Sequence, residues 1–124
     1  MSKKVLVVDD DPVVRLLVTE YLSSQGYNVE VVESGTEAMN SIPRSKPDFV
    51  ILDLLMPDMN GIDVLKRLKG NPATASLPIV MMSSDYDSEA ITNSYGVSAD
   101  EYVQKPFGMR DILSALRRVG ESPK

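Results

Sequence analysis

The sequence predicts an α/β fold built on a doubly wound parallel sheet with helices on both faces. Three observations carry that expectation. Short apolar runs recur along the chain, and those at 5–8, 49–52 and 79–82 are apolar at every position and rich in β-branched residues, as strands buried on both faces must be. Between the runs lie stretches with helical spacing, so strand and helix alternate five times; such alternation requires right-handed crossovers and a parallel sheet. The length, 124 residues, suits one domain with a single sheet.

Each element has its own signal. Val5-Leu6-Val7-Val8 is the first strand. The next segment opens on Asp11-Pro12, an acidic N-cap followed by proline at the first helical position. It carries Val14, Leu17, Val18, Tyr21 and Leu22 at helical spacing and stops at Gly26. Residues 29–32 read as the second strand. Ser34-Gly35-Thr36-Glu37 has the spacing of a capping box and starts a short helix through Ala38, Met39 and Ile42, ended by Pro43. Phe49-Val50-Ile51-Leu52 is the third strand, followed by the turn-rich Met56-Pro57-Asp58-Met59-Asn60-Gly61. A helix with Ile62, Leu65 and Leu68 on one face ends near Gly70. Ile79-Val80-Met81-Met82 is the fourth strand, its methionines serving as core fillers. A weakly apolar helix follows around Ala90, Ile91 and Tyr95. Tyr102-Val103 marks a short fifth strand, and Met109, Ile112, Leu113, Leu116 and Val119 the last helix. The expected division is one domain over 1–119 and a small polar tail or linker start at 120–124.

Composition removes many chemistries. Hydrophobic residues make up 43% and charged residues 25%, as in an ordinary globular protein. Cysteine and histidine are both absent, which excludes disulfides, thiolate zinc sites, imidazole ligands and the serine–histidine–aspartate triad. What remains is carboxylates, hydroxyls and amines. The net charge of −5 argues against direct nucleic-acid binding and against docking on an anionic membrane. No apolar run approaches the roughly 20 residues of a membrane span, so a cytoplasmic setting is expected.

The polar residues that follow the strands matter most. Strand one runs into Asp9-Asp10-Asp11, strand three into Asp53, strand four into Ser83-Ser84 and strand five into Lys105-Pro106. In an open parallel sheet all carboxyl ends lie on one edge, and ligands bind where the strand order reverses. These residues therefore converge; Glu33 after strand two is a further acid within possible reach. Clustered carboxylates repel, and they are tolerated if they protonate, take a cationic partner or hold a metal. With oxygen the only donor type, Mg²⁺ or Ca²⁺ fits, and a few carboxylates completed by water and phosphate oxygens suit Mg²⁺ better. Lys105 supplies a point charge and Ser83 a hydroxyl. Such a set receives a phosphoryl group, with Asp53 as the carboxylate nucleophile.

On the residues Val7-Val8-Asp9-Asp10-Asp11-Pro12, Leu52-Asp53-Leu54-Leu55-Met56-Pro57, Gly61, Ser83, Ser98-Ala99-Asp100-Glu101-Tyr102 and Lys105-Pro106-Phe107, the chain resembles the receiver domain of two-component response regulators, the group that includes the chemotaxis response regulator. The resemblance covers essentially the whole chain. It implies a flavodoxin-like sheet in the order 2-1-3-4-5. It also implies a phosphoacceptor signalling domain, not an enzyme acting on external substrates beyond its own phosphorylation and dephosphorylation. By this resemblance Asp53 takes a phosphoryl group from a phosphohistidine on a sensor histidine kinase or phosphotransfer protein. Asp10 and Asp53 would bind Mg²⁺ directly, Leu55 through its backbone carbonyl and Asp9 through a water. Lys105 would pair with phosphoryl oxygens, its approach set by a cis bond before Pro106. Ser83 would move to the phosphoryl group and Tyr102 rotate inward behind it, re-shaping the surface of the fourth helix, fifth strand and fifth helix for an effector or output domain. Ser84 and Ser98 depart from the usual Ala or Gly, and Leu55 and Asp85 occupy positions that tune the phosphoryl lifetime. A monomer and a phosphorylation-linked dimer are both compatible with the resemblance.

Simpler readings compete at several positions. Asp11 is explained by the helix macrodipole alone. Lys66-Arg67 and Arg117-Arg118 are solvated helix faces. A phosphatase with Asp9 as nucleophile would need a cap and a late acidic motif, where this chain has Lys105. A flavin-binding module would need amides and hydroxyls after strand one, where this chain has three carboxylates. A degenerate receiver would lack part of the set Asp9, Asp10, Asp53, Ser83 and Lys105.

Overall fold

The computed structural model describes residues 3–54, 60–83, 88–104 and 109–120. Ten elements alternate along the chain: β1 Lys4–Val8, α1 Pro12–Ser24, β2 Asn28–Val32, α2 Gly35–Ser45, β3 Phe49–Asp53, α3 Gly61–Lys69, β4 Ile79–Ser83, α4 Ser88–Ser94, β5 Glu101–Gln104 and α5 Met109–Gly120. The strands form one sheet in the order β2-β1-β3-β4-β5, and every neighbouring pair is parallel.

Alternation of side chains along the strands divides the core in two. Val5, Val7, Phe49, Ile51, Val80, Met82 and Val103 pack against Val18 and Leu22 of α1 and Ile112 and Leu116 of α5. Leu6, Val8, Val50, Leu52, Ile79 and Met81 pack against Ala38 and Ile42 of α2 and Val64, Leu65 and Leu68 of α3, with Ile91 of α4 and Tyr102 partly buried on the same side. The two methionines of β4 therefore fill opposite layers, both fully buried.

The helix starts follow their caps. Asp11 accepts a hydrogen bond from the Val13 amide at 2.9 Å, and Ser34 accepts one from the Glu37 amide at 3.1 Å. Glu37 reaches back to the Glu33 amide at 2.8 Å. Asn60 does the same for α3, accepting from the Asp63 amide at 3.0 Å.

Two expectations are corrected. Pro43 does not end α2; the helix continues to Ser45, and Lys46 closes it in the left-handed conformation (φ 48°). Proline in the last turn removes only one helical hydrogen bond, and Lys46, which precedes Pro47, is disfavoured in the right-handed region. Its amide still donates to the Ile42 carbonyl at 2.9 Å. Leu17 is not a core residue: with Val13 and Leu16 it is half or more exposed, whereas Val18 and Leu22 carry the burial. Apolar residues fall on more than one face of α1, so spacing alone does not single out the inner one.

Asp100 fixes the entry of β5 onto β4. Its amide donates to the Ile79 carbonyl at 2.8 Å, and its carboxylate accepts from the Ile79 amide at 2.7 Å and from Lys69 Nζ at 3.2 Å. Since Ile79 is fully buried, replacing Asp100 by Ala strands a buried donor. Asp100→Ala is expected to cost about 1–3 kcal/mol, read from the midpoint of chemical denaturation; a variant as stable as the parent would show that the carboxylate carries no such load.

Candidate functional site

β1 lies between β2 and β3 in the sheet, so the chain leaves β1 toward one side and returns to its other side. The crevice outside the carboxyl ends at such a reversal is where ligands of open α/β sheets bind. Asp9 and Asp10 follow β1 there, and Asp53 is the last residue of β3.

The three acids after β1 have distinct positions. Asp11 is the α1 cap, as the macrodipole reading expects. Asp9 is fully buried; its amide extends the β1–β2 pairing by donating to the Val32 carbonyl at 3.2 Å. Its carboxylate accepts from the Asp11 amide at 2.9 Å. Asp10 between them is exposed. One carboxylate oxygen from each of Asp9, Asp10 and Asp53 lies within 4.8 Å of the others. Glu33 is outside that cluster and exposed, 3.8 Å from Arg15 Nη2.

Asp53 is nearly buried and its surroundings are held by backbone. The Leu54 amide donates to the Met82 carbonyl at 2.9 Å, and the Gly61 amide donates to the Leu54 carbonyl at 2.7 Å. Helix α3 thus starts in direct contact with the end of β3. A Cβ on residue 61 would strike the Asp53 carbonyl oxygen and stand 2.8 Å from Leu54 Cα, which explains why glycine occupies this position. On the neighbouring strand Ser83 ends β4, also buried, one residue beyond the Asp53–Met82 register pair. Its hydroxyl therefore belongs to the same edge as the three carboxylates.

Two residues at this end of the fold were not singled out from sequence. Arg15, one turn into α1, donates from Nη1 to the Asp9 carbonyl at 2.8 Å while its Nη2 faces Glu33, so it ties α1 to the ends of β1 and β2. Only its helical distance from Asp11 could have pointed to it. Thr92 of α4 meets the Tyr102 hydroxyl at 2.6 Å; no sequence signal pairs them. Of the other expected residues, Leu55, Ser84, Asp85, Lys105 and Pro106 lie outside the described residues.

The arrangement has a defined chemical capacity. Two carboxylate charges about 5 Å apart repel by roughly 3 kcal/mol at an effective dielectric near 20, and Asp9 and Asp53 are both largely withdrawn from water. Oxygen donors of this kind, without nitrogen or sulfur, fit a hard divalent cation such as Mg²⁺.

Strand order, acid-bearing ends of β1 and β3 and the hydroxyl ending β4 define the receiver class of two-component signalling proteins. Residues 5–117 match the response regulator receiver domain, and the chain belongs to that family. It is 36% identical over 117 residues to the DNA-binding response regulator MtrA of Mycolicibacterium smegmatis, covering 94% of this chain and 50% of the relative. It is 37% identical over 118 residues to the response regulator MprA of Mycobacterium tuberculosis, with the same coverage. The chain thus spans about half the length of the curated relatives it matches. Among solved structures, the chemotaxis response regulator CheY4 of Vibrio cholerae superposes with a TM-score of 0.88 at 31% identity, covering 96% of this chain and 99% of that one. A response regulator from Chloroflexus aurantiacus gives 0.90 at 30% identity, covering 98% and 100%. The domain is a receiver of two-component signalling. No helix among the described residues is long and apolar enough to cross a membrane.

The close packing of Gly61 is directly testable. Gly61→Ala forces backbone apart beside Asp53 and is expected to cost about 1–3 kcal/mol as an overpacked site, measured by thermal or chemical melting. An unchanged melting curve would show that the α3 start can yield without consequence.

Proposed function

We propose that residues 1–119 form a phosphoacceptor domain that takes a phosphoryl group onto Asp53 from a phosphohistidine on a sensor histidine kinase or phosphotransfer protein. The observation that carries this reading is the convergence of Asp9, Asp10 and Asp53 within 4.8 Å at the switch point of the sheet. The donor histidine lies outside these 124 residues, which contain none.

In this reading Asp10 and Asp53 hold Mg²⁺ directly, Leu55 contributes its carbonyl and Asp9 acts through a bound water. Mg²⁺ supplies positive charge that offsets charge developing on the phosphoryl oxygens. A carboxylate oxygen of Asp53 attacks phosphorus, the new O–P bond forms as the N–P bond breaks, and the imidazole nitrogen leaves with the electron pair and takes up a proton. Lys105 pairs with a phosphoryl oxygen and Ser83 donates its hydroxyl to another. Burial of Asp53 at the end of a rigid strand favours a fixed line of attack. Relocation of Ser83 and Tyr102 then re-shapes the surface of α4, β5 and α5 for an effector. The domain itself makes no direct contact with nucleic acid or membrane, consistent with its charge of −5, and its setting is cytoplasmic.

Two outcomes test this. Acetyl phosphate, or beryllofluoride, with Mg²⁺ should modify the wild type and leave Asp53→Asn unmodified, read by intact mass for the former and by amide shifts for the latter; equal modification of the variant would sink the assignment. Millimolar Mg²⁺ should raise the melting temperature by binding the folded state alone, and the rise should vanish in Asp10→Asn. A melting temperature indifferent to Mg²⁺ would remove the metal from the scheme.

A further inference from the structure

Tyr102 sits in a part-buried hydrogen-bonded chain. The Ala99 amide donates to the Tyr102 hydroxyl at 2.8 Å. Thr92 Oγ1 lies 2.6 Å from the same hydroxyl and donates to the Glu89 carbonyl at 3.0 Å. Either hydroxyl can donate in the Thr92–Tyr102 pair, and both arrangements keep Tyr102 bonded to Thr92. The contacts run from the Ala99 amide through Tyr102 and Thr92 to Glu89. Thr92 is fully buried and Tyr102 half-buried, so this bond is partly shielded from competing water. Ile91 also packs α4 on the core, Asp100 holds the following loop to Ile79, and at the surface Lys66 Nζ stands 5.1 Å over the Tyr95 ring while Lys69 pairs with Asp100 at 3.2 Å. The surface pairs contribute little; among the described residues the Thr92–Tyr102 contact is the side-chain hydrogen bond that joins α4 to β5.

The placement also has a direction. Ala99 precedes β5, so a Tyr102 hydroxyl bonded to its amide leans toward the amino end of the strand. Ser83 and Asp53 lie at the opposite, carboxyl edge. Any movement of the ring toward Ser83 must break the bonds to both Thr92 and Ala99, and it leaves the Thr92 oxygen and the Ala99 amide without those partners.

We infer that Thr92 is a positioning residue that latches Tyr102 away from the phosphoryl site in the unmodified domain. The inference rests on the phosphoacceptor reading of Asp53. By linkage, a latch that opposes the modified arrangement weakens binding of a phosphoryl analogue by the same factor that modification weakens the latch.

The test is a beryllofluoride titration of the whole chain with Mg²⁺, followed by amide shifts, on the wild type, Thr92→Val, Thr92→Ser and Tyr102→Phe. Thr92→Val should bind about three- to tenfold more tightly, the effect of one lost buried hydrogen bond, and should shift the Ala99 amide before any addition. Thr92→Ser, which keeps the hydroxyl, should match the wild type. Thr92→Val should add nothing when Tyr102 is already Phe. Equal or weaker binding by Thr92→Val, or the same effect in the Tyr102→Phe background, overturns the latch while wild-type binding leaves the phosphoacceptor reading standing. A wild type that binds no beryllofluoride overturns both. If Thr92→Val does not fold, Tyr102→Phe decides, since it must also bind more tightly.

Discussion

β1 pairs in parallel with β2 on one side and β3 on the other, with Val8 opposite Val32 and Leu52. That double pairing sets the strand order, and with it the point where the chain reverses direction across the sheet. It also brings Asp9 beside Asp53, residues far apart in sequence. Helix α1 must then cover one face and α2 with α3 the other, because Val5 and Val7 face one layer while Leu6 and Val8 face its opposite. A one-residue slip of β1 would exchange the two faces and move its terminal acids off the edge. The site is therefore a consequence of register as much as of residue type.

Placing carboxylates where strands end has an energetic cost that the backbone helps to offset. Asp9 accepts a hydrogen bond from the Asp11 amide, next to the start of α1, where the helix dipole favours negative charge. Asp11 is used up as the cap. Arg15 donates to the Asp9 carbonyl and not to its carboxylate, so it steadies the end of β1 while leaving an acidic face toward the crevice. The four-residue run Asp9 to Pro12 thus combines a strand end, an acidic site and a helix start, each set by a different local requirement.

β1, β3 and β4 were legible because fully buried parallel strands are apolar in long runs, and the helix starts because Asp11, Ser34 and the turn before Gly61 carry their own chemistry. The convergence of Asp9, Asp10 and Asp53 followed from topology once the alternation was recognised, and the resemblance supplied the strand order. Pro43 misled because its effect depends on how many helical bonds remain beyond it, and Leu17 because α1 is apolar on more than one face. Arg15 and Thr92 escaped notice for a different reason. Their partners are a backbone carbonyl at the end of another element and a phenol on a distant strand, and neither pairing leaves a periodic mark. Asp100 belongs to the Ser98–Tyr102 motif, and its bonds to Lys69 and to the Ile79 amide give that motif a structural reason.

Adjacent residues of β5 serve different halves of the molecule. Val103 is buried among α1 and α5, whereas Tyr102 faces α4 and the opposite layer. Glu101 binds Arg118 of α5 at 2.9 Å, a pairing that also holds the guanidinium above its ordinary pKa, chiefly through that hydrogen bond. Strand β5 thus meets α5 through Glu101 and Val103 and α4 through Tyr102. The three-element surface is then attached unequally: α5 meets β5 through Val103 and the Glu101–Arg118 pair, and α4 meets it through the Thr92–Tyr102 hydrogen bond. On the proposed latch, a partner gripping both α4 and α5 would meet the Thr92–Tyr102 contact, whereas one resting on α5 alone would touch only the side of β5 that the latch leaves aside.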